Sequence, residues 1–147
     1  MHRIPAYQQM GGLNTMDSNE EIRNMSKKIK ILWLSEPQEH DYPAALSYLS
    51  LLFDKQSAAS HVNRLKRAPI SEFKAKDLFR ASGSPLTGIS KAHVKQDQTK
   101  IKSGRELSPL LLIRDAANGN VIIADGYHRL CAAYSYDENA VIPCKIS

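Results

Sequence analysis

Apolar side chains in residues 41–53 fall at Tyr42, Ala45, Leu46, Leu49, Leu52 and Phe53, the i, i+3, i+4, i+7 spacing of an amphipathic helix. Asp41 is placed to cap it, and Pro43 stands in the first turn, where a missing N–H costs nothing. A second helix is predicted over 55–68, with Ala58, Val62 and Leu65 inward. Arg64, Lys66 and Arg67 lie toward its end, where cations suit the helix dipole. Together the two make a helical hairpin. Over 73–82 two periods compete: Phe73, Ala75 and Asp77 alternate like a strand, whereas Leu78 and Phe79 suit a helical turn. Gly83-Ser84-Pro85 ends that element. Residues 87–90 read as loop. Residues 92–103 read as a helix with Val94, Gln98 and Ile101 along one face, stopped by Gly104.

The remaining pattern is clearer. Residues 109–114 and 121–124 are apolar strands joined by a turn at 117–120, with Asn118-Gly119 supplying positive φ. Residues 126–136 form a helix. A closing strand over 141–146 contains Pro143, which places it at a sheet edge or at a strand start. This order predicts an α+β (mixed α/β) fold: a small mixed sheet with helices, preceded by the helical hairpin. Residues 1–29 are polar and aperiodic and read as a flexible leader, 30–69 as a helical extension packing on the core, and 70–147 as the core domain.

Composition narrows the function classes. The 147 residues amount to one domain, and a hydrophobic content of 42% supports a core. Even the long apolar runs, such as Leu110–Ile113, are only a few residues, so no membrane span is expected. The polar start lacks an apolar signal core, and two cysteines make neither a disulfide framework nor a zinc spacing, so a reducing cytoplasm is the expected compartment. The formal net charge is +5, and it is unevenly placed. Residues 41–106 hold twelve basic and six acidic side chains, whereas residues 107–147 hold three and four. The basic middle is either a solvated helical surface or a flank that faces an anion.

One segment carries candidate chemistry: ADGYHRLCAAY, residues 124–134. A strand ends at Ala124, Asp125-Gly126 turns the chain, and a helix opens with His128 and Arg129 in its first turn. Cations at a helix N-terminus oppose the dipole, and their presence makes sense if an anion sits there. Backbone N–H groups, the dipole and an Arg fork would converge on a phosphate-sized site made by Gly126, Tyr127, His128 and Arg129. Gly126 would let the backbone come close to that ligand. Asp125 could cap the helix, bind a metal or act as a base. The simpler alternative is that Asp125 is only the N-cap and that His128 and Arg129 point to solvent or pair with Asp125 and Glu106.

The ordered set LSPLLLIR (107–114), a hairpin, IIADGYHRLCAAY with its Gly-x-x-Arg helix, and VIPCKI (141–146) resembles the ParB/sulfiredoxin superfamily over residues 70–147. The 92–103 helix and the KAKDLFRAS stretch (74–82) resemble that family's short helix and its first strand with the following turn. Sulfiredoxins place a reactive Cys before the His-Arg pair. Here Tyr127 stands there, so sulfinic-acid reduction is not expected, and Cys131 and Cys144 read as core. Partition proteins bind CTP and need a helix-turn-helix domain downstream, and none follows within these 147 residues. The free-serine kinase branch uses an Asp-Gly-His-x-Arg type of motif, which Asp125, Gly126 and Arg129 match, with His one position later. Single-domain relatives are described as nucleases. The resemblance also implies a phosphate role for Arg80, with Asp77 as the nearest carboxylate; His93 is a further candidate.

Three functions follow as expectations. The first is a nucleotide or phosphate-binding protein, a phosphotransferase or nucleotide hydrolase. It would use Mg²⁺ and ATP, ADP or CTP, with Asp125 or Asp77 as base and Asp125 as metal ligand. The second is a DNA-binding or nuclease module using the basic 41–106 surface. The third is a non-catalytic regulatory protein, with Tyr42, Tyr48, Leu49 and Phe53 as a homodimer face.

Overall fold

The computed structural model describes residues 29–85 and 92–147. The predicted leader, apart from its last residue, and the predicted loop at 87–90 lie outside them. The elements run α1 (Asp41–Leu52), α2 (Lys55–Arg67), β1 (Ile70–Lys74), α3 (Ala75–Ser82), α4 (Ala92–Lys102), β2 (Leu110–Asp115), β3 (Asn120–Asp125), α5 (Tyr127–Tyr136) and β4 (Val141–Ile146). The four strands form one mixed sheet in the order β1-β4-β2-β3, antiparallel at both flanks and parallel between β4 and β2. The fold class is α+β, and residues Ile31–Ser147 form one compact unit.

The helical hairpin belongs to the core. Tyr42, Ala45, Leu49, Ala58, Val62 and Leu65 are buried in one cluster with Leu111, Ile113 and Ala124 of the sheet. Two residues suffice to turn from α1 into α2, because Asp54 caps α2 by accepting from the Ser57 N–H at 2.9 Å. Asp41 does not cap α1. It lies inside the first turn, 2% exposed, and its carboxylate reaches back to accept from the Gln38 N–H at 2.9 Å. Leu46 and Leu52, assigned inward by the spacing, stand 37% and 51% exposed. Tyr42 and Leu49 are internal and unavailable as a dimer face; Phe53 packs against the same cluster, and Tyr48 is exposed. Leu49 is fully buried. Leu49→Ala should cost about 3 kcal/mol, as other buried leucines do when a cavity is left, read as a lower urea midpoint at unchanged slope.

The ambiguous stretch resolves into two elements. The strand is Ile70–Lys74, a few residues ahead of the 74–82 segment taken for it, and Ala75 and Asp77 are helical. The switch occurs where it does because the first amides of α3 find outside acceptors. The Ala75 N–H donates to Ala140 O, and the Lys76 N–H to Glu138 O, both at 2.9 Å. The turn after β2 is a 3-10 turn over Ala116–Asn118, and Gly119 alone takes positive φ, at 59°. β4 is internal to the sheet, not an edge. Pro143 is tolerated because β2 pairs only from Cys144 onward, so on that side no ladder bond is lost.

Candidate functional site

β3 delivers Asp125 to the mouth of the sheet, and Gly126 then turns the chain into α5. Gly126 is the N-cap residue, at φ 107°, and no side chain caps the helix. A Cβ at this position would stand 2.7 Å from Leu110 Cγ and 2.9 Å from Arg129 Nη2. Glycine is therefore required by this chain's own side chains; close approach to a ligand is not needed to explain it.

Arg129 is turned inward. Its Nε donates to Ser108 O at 2.9 Å, and its Nη2 donates to Asp125 Oδ2 at 2.8 Å and to Pro109 O at 3.4 Å. The ion pair is with Asp125 and not with Glu106, and the two side chains are 17% and 16% exposed. The guanidinium thus clamps the entry of β2 to the exit of β3. Asp125 is held above the usual carboxylate range. Burial is the main cause and outweighs the nearby Arg129, with the buried Asp41 adding to it and His40 opposing.

Two hollows meet at this turn. The smaller, about 160 Å³, is lined by His93, Gln96, Asp97, Asp125 and residues 126–129. The His93 and His128 rings face each other there, with centroids 5.1 Å apart. Asp97 is a buried carboxylate with Lys100 at 3.7 Å, so both carboxylates of the hollow have a cation partner. The larger, a cleft of about 930 Å³, runs along β3 between Tyr48, Leu52 and Phe53 on one side and Ser82, Ser84 and Pro85 on the other. Tyr127 spans its end, donating from its hydroxyl to Pro85 O at 2.8 Å. Comparison with known protein families, curated proteins and solved structures finds no match to this chain.

The structure brings together five of the candidates from the 126–129 segment and its neighbours, namely Asp125, Tyr127, His128, Arg129 and His93, with Gly126 as their hinge. It does not bring Asp77 and Arg80 to either hollow. Helix α3 buries Ala75, Leu78 and Phe79, so positions 77 and 80 face outward as an exposed i, i+3 pair at 3.7 Å. The described basic residues of 41–106 line the surface, and none lines the larger cleft. Among the described residues no group of three or more His, Cys, Asp or Glu is placed to hold a metal, so Mg²⁺ finds no assembled ligand set there. The cysteines are buried, and burial pushes the Cys144 thiol up to about 12, outside useful reactivity. Asp97 is not among the sequence's candidates, and Asp41, expected as a helix cap, is instead a buried carboxylate. The signal for Asp97 was a carboxylate on the Val94–Ile101 stripe.

Proposed function

We propose that the chain binds the phosphate of a small phosphorylated ligand, a nucleotide first among them, at the start of α5. The carrying observation is that α5 opens without a side-chain cap onto a hollow flanked by His93 and His128. The first amides of a helix have no partner within it, and a phosphate oxygen satisfies them while the dipole favours its charge. The hollow suits the phosphate group itself, and the remainder of the ligand would extend outward. Arg129 supports this reading by shaping the turn; its Nε and Nη2 donors are committed to Asp125 and two carbonyl oxygens. A phosphotransferase or hydrolase on this site would use Asp125 as its base, because Asp125 lines the hollow and Asp77 does not.

Isothermal titration with inorganic phosphate, ADP, ATP and CTP, with and without Mg²⁺, tests the reading. Saturable binding is expected, weakened at least tenfold by His93→Ala/His128→Ala, since about tenfold is the loss of one charge-assisted hydrogen bond. Absence of heat with every probe at millimolar concentration, or an unchanged affinity in the double variant, would sink it.

A further inference from the structure

The sheet has two edges, and they are built differently. β1 reads ISEFK, follows Pro69 and exposes Glu72 and Lys74. Charge and proline on an edge are the usual protection against pairing with another strand. β3 reads NVIIAD, with three β-branched apolar residues in succession, no proline and no Lys or Arg. Its inner edge pairs with β2, and among the described residues no backbone hydrogen bond reaches its outer edge.

That outer edge borders the larger cleft, which is lined along the whole of β3. Every second residue of a strand turns its N–H and C=O outward, so the floor of the cleft offers donors and acceptors at strand spacing. The α1 wall is apolar and partly exposed, with Tyr48 at 44% and Leu52 at 51%, whereas Ser82 and Ser84 make the facing wall polar. A strand edge beside a helix wall is the arrangement that takes up an extended peptide by strand addition.

Shape and charge select the occupant. A second copy of this chain would bring its own α1 wall and Ser82–Pro85 wall, and two recessed edges cannot meet. Among the described residues the ionic side chains lining the cleft are Asp115 and Asp125, at opposite ends of β3, with no Lys or Arg beside them; Asp125 is paired with Arg129, which leaves Asp115 as the anionic end of the groove. We propose that the outer edge of β3 is a docking groove for an extended segment of another protein. That segment would be apolar at alternate positions and basic at the end that meets Asp115, and would add as a fifth strand. The groove adjoins the phosphate hollow at Gly126 and Tyr127 but does not rest on phosphate binding.

The test uses the full chain and a fluorescent octapeptide of alternating Val and Thr with Lys at both ends. Micromolar binding is expected. N-methylation of alternate peptide nitrogens should weaken it at least tenfold, by removing the ladder donors. Replacing the terminal Lys by Glu should weaken it about fivefold. Leu52→Arg, a surface change that leaves the circular dichroism spectrum intact, should weaken the Lys peptide at least tenfold. Hydrogen exchange should show new protection at 121–125 when the peptide is added. Four results would overturn the proposal: no binding at millimolar peptide, indifference to N-methylation and to Leu52→Arg, amides of the β3 edge already protected in the chain alone, or a dimer that the peptide dissociates.

Discussion

Arg129→Met should lower the unfolding free energy by about 2–4 kcal/mol, slightly under the 3–5 typical of breaking a fully buried pair because both partners keep some solvent contact. Three acceptors lose their donor at once: Asp125 Oδ2, Ser108 O and Pro109 O. The measurement is a urea midpoint, and the loss should depend on pH. The folded Asp125 carboxyl is already raised by burial. A carboxyl whose folded value exceeds its unfolded value, about 3.9, favours the folded state at low pH and withdraws that support as pH rises through the folded value. Removing Arg129 removes the strongest influence that lowers it, so the value climbs further. The deficit should therefore be smallest near pH 4 and largest at neutral pH. Adding Asp125→Asn should recover part of it at pH 7 and almost none at pH 4. A deficit that is flat with pH would show that the carbonyl contacts matter and the ion pair does not.

Gly126→Ala should cost about 2–6 kcal/mol, combining backbone strain of about 1–3 with overpacking of similar size. The new methyl meets Leu110 inside the core and the Arg129 guanidinium at its rim. Relief would come from moving Arg129, which breaks its bond to Asp125. Gly126→Ala and Arg129→Met should thus be non-additive: the double variant should lose at least 1 kcal/mol less than the two single losses together. Strict additivity in a double-mutant cycle would mean that the guanidinium does not feel the substitution.

The sequence showed much of this arrangement. Helices α1, α2, α4 and α5, strands β2 and β3 and the closing strand all lie where their periods put them. The Asp125–Arg129 spacing of four also showed the ion pair as one alternative. What it could not show was the other two acceptors of Arg129, because backbone oxygens twenty residues away have no side-chain signature. The β1–α3 boundary was hidden for a related reason, since acceptors from residues 138 and 140 decide it. On α1 apolar residues occur on more than one face, so spacing alone did not tell Leu49, at the core, from Leu52, at the cleft. Asp77 and Arg80 were expected from a resemblance that sets a strand and turn over 74–82, and that stretch is a helix which turns both outward.

The place of β4 has a consequence for how the chain reaches this state. β4, one of the sheet's two inner strands, is the last element described, so β1 waits about seventy residues for its only partner among the described residues. At synthesis rates of about 5–20 residues per second, that wait is on the order of ten seconds. The hairpin of β2 and β3 can close early, from neighbours in sequence. The β1–β4 and β2–β4 ladders join strands far apart in sequence, and pairing of that kind is slower to form than a local hairpin.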